Sequence, residues 1–241
     1  MQKSFIRKNL EDPSENAKCI SNTKTLNMII PKLHYISQGR APKELLENIQ
    51  KACTSGTELV QLRLKNVSEK KLLKLATAAR EITSHFQTRL IINDHYKIAK
   101  AIKADGVHLG KTDICPTIAR KHLYTWQIIG GTANTLQDCE TLIIKDVDYI
   151  SLSPFRLTTT KDHLSPALGL SGYTAITEAL KTETPIIGFG GITTEDVTDL
   201  LETGISGIAV SGEITRNFDS IRTFNQLLNA SSTEEQRYTF K

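Results

Sequence analysis

The sequence predicts an α/β protein that folds as a single closed (β/α)8 barrel. Short apolar runs flanked by Gly or Pro alternate with helical patterns about eight times over roughly 200 residues. Eight such units close a ring of parallel strands, and the length fits. No GxGxxG follows the first strand, which weakens the alternative of an open, doubly wound sheet.

Leu33–Ser37 reads as the first strand. Pro42 opens a helix through about Thr54, since Pro is tolerated early in a helix. Glu58–Leu64 is the second strand. Ser68 caps a long helix whose Leu72, Leu73, Leu75, Ala76, Ala79 and Ile82 recur at helical spacing. Lys71 follows where a capping box would have Glu, so a simple cap is expected. Arg89–Asn93 is the third strand, with a helix through Ala101. Gly106–Leu109 is the fourth, and Pro116 sits near the start of the next helix. Gln127–Gly131 is the fifth, followed by a helix over about Leu136–Ile144. Tyr149–Ser153 is the sixth, with a helix after Leu170. Pro185–Phe189 is the seventh, with Thr193 or Thr194 capping a helix to Leu201. Gly207–Val210 is the eighth, with a helix to about Leu228.

Composition narrows the function. A chain of 241 residues, 39% hydrophobic and 23% charged, suits one globular domain with a sizeable core. The net charge of +4 is mild and no Lys/Arg run forms a stripe, so no nucleic-acid partner is expected. No apolar stretch approaches the length of a membrane span. Cys19, Cys53, Cys115 and Cys139 lie far apart with no CxxC or zinc spacing, which points to a reduced, cytoplasmic protein. Residues 1–27 are polar and mixed in charge, unlike a signal or transit peptide. They are expected to be a disordered extension, with Met28 as a candidate start. Residues 28–230 then form the catalytic barrel, and residues 231–241 a polar tail. The oligomeric state is left open, a homodimer included.

In such a barrel, functional groups gather where the strands end. Alternation sets Val60, Leu62 and Leu64 on one face of the second strand and Gln61, Arg63 and Lys65 on the other. The apolar face meets helices, so the polar one points inward, where buried cations need an anion. Asp94 ends the third strand and Asp113 follows the fourth. The pair could hold Mg²⁺ beside a phosphate, or each could cap the helix after it. His108 by itself reads as a packed or hydrogen-bonded histidine. Thr158, Thr159, Thr160 and Lys161 offer hydroxyls and an ammonium to an anion, although alone they read as a solvated loop. Glycines at Gly190, Gly191 and Gly212 let backbone N–H groups approach a phosphate.

VQLRLK (60–65), IIND (91–94), DGVHLGKTD (105–113), IIGGTAN (128–134), DYISLSPFRLTTTK (148–161), GFGGI (188–192) and GIAVSG (207–212) occur in this order. Together they resemble the thiamine-phosphate synthase family over Ile30 to about Asn217. The resemblance implies a TIM barrel that joins 4-amino-2-methyl-5-hydroxymethylpyrimidine diphosphate to thiazole phosphate, with small molecules as its partners. It implies that Arg63, Lys65, Asn93 and Lys161 hold the diphosphate and that Asp94 and Asp113 hold Mg²⁺. Arg63, Lys65 and Lys161 are thereby the expected catalytic cations. Gln61 and His108 would line the pyrimidine pocket, and Thr132 stands where the family has a pyrophosphate-binding serine. Thr158, Thr160, Gly191 and the backbone near Ser211 would take the thiazole phosphate. The sequence departs from the family pattern at Ser153 (usually Gly), Arg156 (usually aromatic, so charge is added), Thr132 (usually Ser) and Asn134 (commonly His). Competing readings are a TenI-like thiazole tautomerase, which needs no diphosphate clamp, a sugar-phosphate epimerase or isomerase, and a non-catalytic precursor sensor. The inward cations and the two carboxylates favour the synthase.

Overall fold

The computed structural model describes residues 29–64, 66–157 and 165–238, with residues 230–238 by backbone alone. Strands β1 (Leu33–Ile36), β2 (Leu59–Leu62), β3 (Arg89–Asn93), β4 (Gly106–Leu109), β5 (Ile128–Ala133), β6 (Tyr149–Leu152), β7 (Ile186–Phe189) and β8 (Gly207–Val210) pair in parallel in chain order. β8 returns to β1, with Ile208 opposite Leu33, so the barrel closes. Helices α1 (Pro42–Thr54), α2 (Glu69–His85), α3 (Tyr96–Ala101), α4 (Pro116–His122), α5 (Leu136–Ile144), α6 (Gly169–Leu180) and α7 (Val197–Glu202) connect successive strands. α8 (Gly212–Arg216) and α9 (Ser220–Tyr238) follow β8, and α9 continues into the stretch expected as a polar tail. No helix among the described residues is long and apolar enough to cross a membrane.

Local chemistry accounts for the boundaries. Pro42 lies in the first turn of α1, and the Ser68 hydroxyl accepts the Lys71 N–H at 3.4 Å as a simple cap. Thr135 starts α5 and Thr193 starts the 3-10 turn Thr194–Asp196, each through a capping box closed by an aspartate three residues on, Asp138 and Asp196.

The strands separate two apolar regions. Val60, Leu62, Leu90, Ile92, Val107, Ile129, Ile150 and Ile208 face the helices and join the large outer core. Ile36, Leu59, Ile91, Ile128, Tyr149, Ile187 and Ala209 fill the lumen. Strand period two puts Gln61 and Arg63 on the same side as Leu59, which is the inward orientation the sequence predicts.

The base of the barrel is braced by a recurring device. The residue before β4, Asp105, accepts the Leu90 N–H of β3 at 2.7 Å and pairs with Arg80 of α2. The residue before β6, Asp148, does the same with Ile129 of β5 (2.7 Å) and Arg120 of α4 (2.6 Å). Before β8, Ser206 Oγ accepts the Ile186 N–H of β7 at 3.3 Å.

His34 lies in this part of the lumen, 1% exposed, packed edge-on against Tyr149 with centroids 5.1 Å apart. Its Nε2–H donates to the Pro31 carbonyl at 3.0 Å. Burial, partly offset by that bond, lowers its pKa from 6.5 to about 4. The unfolded chain therefore takes up a proton first, so folding stability is complete above pH 6.5 and is lost as pH falls towards 4. Urea unfolding at pH 7 and pH 4.5 should give a smaller drop for His34→Gln than for the parent chain, by up to about 3 kcal/mol. Equal drops would mean that His34 titrates normally.

Candidate active site

The polar residues singled out in the sequence converge where the strands end. Gln61 is buried at 4% exposure and Arg63, two residues on, is half-buried. The Arg63 N–H is anchored on Ser37 Oγ at 3.2 Å, which ties the end of β2 to β1. Among the described residues its guanidinium has neither a carboxylate nor a hydrogen-bond partner, and burial alone lowers its affinity for its proton. It is an inward cation awaiting an anion. Lys65 lies outside the described residues.

A chain of hydrogen bonds crosses the lumen beneath Arg63. Gln61 bonds the Tyr149 hydroxyl. That hydroxyl meets His108 Nδ1 at 3.0 Å, and His108 Nε2 meets Thr132 Oγ1 at 2.8 Å. The His108 and Tyr149 rings stack 5.6 Å apart. Burial holds the Tyr149 phenol far above its ordinary range, so it stays protonated. In the sequence Tyr149 marks only the start of a strand. The signal for more is the inward row Tyr149 and Ser151 on β6, continued by Ser153, with Gly130 opposite Tyr149. A Cβ on Gly130 would lie 2.1 Å from the Tyr149 ring, so glycine is what lets the ring reach His108.

Asn93 pairs in register with His108, and the next residue, Asp94, turns back with φ +66° while its N–H donates to the His108 carbonyl at 2.8 Å. Asp113 Oδ2 accepts the Gly110 N–H at 2.6 Å. The two carboxyls come close enough to share a hydrogen bond. Burial first, and then the Asp113 charge, raise the Asp94 pKa. The capping alternative fails, since α3 and α4 are preceded by His95 and Cys115 and neither aspartate caps them. Two facing carboxylates suit a hard divalent cation that keeps its other ligands on water or phosphate. Among the described residues no group of three or more His, Cys, Asp or Glu could hold a metal by itself.

On the far side of the mouth, Gly190 (φ +110°) and Gly191 (φ +72°) form a turn that a side chain would strain. Ser211 donates its hydroxyl to the Ile36 carbonyl at 2.7 Å, so that proton is committed within the fold. Thr158, Thr160 and Lys161 lie outside the described residues. Gln61, Arg63, Asn93, Asp94, His108, Asp113, Thr132, Gly191 and Ser211 all fall at the carboxyl ends of strands or in the loops that leave them.

A profile of the family described as thiamine monophosphate synthase matches residues 33–214, the whole barrel. The chain belongs to the thiamine monophosphate synthase family. It is 45% identical over 199 residues to a thiamine-phosphate synthase of Flavobacterium johnsoniae, covering 81% of this chain and 94% of that protein. It is 38% identical over 200 residues to one of Bacteroides fragilis, covering 82% and 98%. Among solved structures, a thiamine phosphate pyrophosphorylase from Pyrococcus furiosus superposes with a TM-score of 0.71 at 25% identity, covering 82% and 96%.

Within this synthase family, the departures of the chain fall into bonded pairs. Asn134 Nδ2 donates to the Ser153 carbonyl at 2.6 Å, so two departures join the tops of β5 and β6. Arg156 does not add a free charge to the mouth, as its identity suggests. Its guanidinium is paired with Asp196 and stacked on the Phe155 ring at 4.6 Å. Thr132 Oγ1 lies 2.8 Å from His108 Nε2 and keeps capacity for one more partner.

Tyr149→Phe keeps the ring and leaves His108 and Gln61 each short of one partner. It should destabilise the barrel by about 1–3 kcal/mol in chemical unfolding, and an unchanged midpoint would mean that the hydroxyl is not bonded in solution.

Proposed function

We propose that this mouth joins 4-amino-2-methyl-5-hydroxymethylpyrimidine diphosphate to thiazole phosphate, releasing thiamine monophosphate and pyrophosphate. The observation that carries the reading is Arg63, a half-buried inward guanidinium with no acidic partner among the described residues. A thiazole tautomerase would have no use for such a cation, whereas a departing diphosphate neutralises it. Membership of a family of synthases, which are transferases, supports the same reading.

The chemistry asks little of the protein in proton transfer. The C–O bond between the pyrimidine methylene and the diphosphate breaks, and its electron pair leaves with pyrophosphate. The 4-amino group of the ring stabilises the methylene cation, and the thiazole nitrogen then donates its lone pair to form the C–N bond. That nitrogen carries no proton, so no general base is needed. Arg63, with Lys65 and Lys161, stabilises the charge that develops on the leaving group, and Asn93 and Thr132 orient it. Gln61 and His108, held by Tyr149, set the plane of the pyrimidine. Asp94 and Asp113 would hold Mg²⁺, which when bound neutralises the leaving phosphates as a Lewis acid. Burial first, and then the nearby Asp113 charge, raise the Asp94 pKa, which fits a site completed by a cation. The turn at Gly191 and the backbone at Ser211, with Thr158 and Thr160, receive the thiazole phosphate. The setting we infer is reduced and cytoplasmic, in line with the lack of any closely spaced cysteine pair.

Mixing both precursors with Mg²⁺ should give thiamine monophosphate, and omitting either should give none; no product from the complete mixture overturns the reading. Arg63→Ala should slow turnover by about 3 kcal/mol in the barrier, near a hundredfold. Asp113→Asn should shift the Mg²⁺ titration of the rate to higher concentration while Arg63→Ala leaves it in place, and superimposable titrations for both would remove the ligand assignment.

A further inference from the structure

We propose that Arg156 and Asp196 form a clasp that presets the Gly190–Gly191 turn for the thiazole phosphate, so that Arg156 is a positioning residue and does not touch the anion. The inference rests on the assignment of that turn to the thiazole phosphate.

Arg156 leaves β6 and Asp196 stands at the start of α7, one strand further round the ring. Between them runs the turn. Arg156 Nη1 donates to the Gly191 carbonyl at 2.8 Å and to Asp196 Oδ2 at 2.6 Å, and Nη2 donates to Asp196 Oδ1. The backbone is already paired on this stretch, Phe155 N–H to the Phe189 carbonyl at 2.9 Å and Arg156 N–H to that of Gly190 at 2.8 Å. The side chain therefore extends this two-rung ladder by one bond, to the carbonyl of the second glycine of the turn.

The consequence follows from peptide planarity. A trans peptide sends its N–H opposite to its carbonyl, so holding the Gly191 carbonyl also fixes the direction of the Ile192 N–H. A turn of two glycines loses more conformational freedom on ordering than any other pair, and a ligand would bear that cost if the fold did not. The clasp places it on folding.

Asp196 is built to hold this position. Its side chain is 10% exposed, and Oδ2 also accepts the Thr193 N–H (2.8 Å) and hydroxyl (2.9 Å). Burial pushes its pKa up, but the bonds from Arg156 and Thr193 outweigh that and keep the carboxyl below its ordinary range. The same device occurs two strands earlier. Asp138, third residue of the other capping box, accepts Lys111 Nζ at 2.8 Å from the loop that carries Asp113. Arg156 is the stronger version, because only a planar fork can span a carboxylate and a carbonyl together.

The test is steady-state kinetics on the full chain with each substrate varied separately. Arg156→Ala should raise KM for thiazole phosphate about tenfold or more, with KM for the pyrimidine diphosphate held within about twofold, the pattern of a lost preorganisation at one subsite. Arg156→Lys should not restore it. Asp196→Asn should act in the same direction, and Arg156→Ala/Asp196→Asn should be no worse than the poorer single variant, since the two act as one unit. Arg156→Met, which keeps the stem over Phe155, separates this effect from a folding defect and should match Arg156→Ala. Were Arg156 a direct phosphate ligand, Asp196→Asn would leave KM for thiazole phosphate unchanged or lower, and that result overturns the clasp. So does an equal rise in both KM values. A parent chain that makes no thiamine monophosphate at all would instead overturn the functional reading beneath it.

Discussion

Closure of the parallel ring is the constraint on which the rest depends. Once β8 pairs with β1, every second residue of every strand lies in one lumen, and no edge remains at which register could slip. The lower lumen is filled by Leu59, Ile91, Ile128, Tyr149, Ala209 and their neighbours. The site begins two residues further along the same strands, at Gln61, Asn93, Gly130, Ser151 and Ser211. Core and site thus share one parity. A slip of one residue in β2 would turn Leu59 and Arg63 together onto the helices, so the burial energy of the lower layer also aims the polar layer above it.

The distribution of charge follows from the same geometry. At the base and at the mouth alike, most partly buried carboxylates are satisfied. Asp105 and Asp148 each take a backbone N–H and an arginine, and Asp138 and Asp196 each take a capping box and a cation. The exception lies at the mouth, where Arg63 is half-buried without an anion among the described residues, and where Asp94, beside His95, also faces Asp113. A buried charge without a partner costs several kcal/mol at most sites. Here the cost falls on groups that a diphosphate and a divalent cation would neutralise together.

The fold was legible from the sequence because each strand was short, apolar and punctuated, and the inward set of β2 could be read from alternation alone. Facing of Asp94 and Asp113 was legible too, because consecutive strands of a parallel barrel end side by side. What the sequence hid were pairings between residues far apart in the chain. Tyr149 looked like one more strand aromatic until Gly130 gave its ring room and His108 gave its hydroxyl a partner. Arg156 looked like added charge near the site, since nothing in SPFRL signals a carboxylate 40 residues away. Asp196 and Asp138 each close a capping box on their own helix start. Their second bonds, to Arg156 and Lys111, depend on which loops the ring makes adjacent.

Those second bonds form a pattern around the ring. Between β3 and β4, β5 and β6, and β7 and β8, a side-chain brace lies at the base, through Asp105, Asp148 and Ser206, and Asn134 adds one at the mouth between β5 and β6. Between β4 and β5, β6 and β7, and β8 and β1, a brace lies at the mouth, through Lys111–Asp138, Arg156–Asp196 and Ser211–Ile36. The two sets do different work. At the base a side chain reaches strand backbone that the ladder already holds, and it adds stability. In the second set two of the three are ion pairs made by the loops after β4 and β6, and the Arg156 pair extends two backbone bonds, Phe155 to Phe189 and Arg156 to Gly190, beyond the strands. Those two loops carry Asp113 and Arg156, and they lie next to β5, which carries Thr132, and to the turn after β7, which carries Gly191. The two ion pairs are not equivalent: Lys111 reaches one carboxylate, whereas Arg156 spans the Asp196 carboxylate and the Gly191 carbonyl, so the turn after β7 is held more closely than the loop after β4.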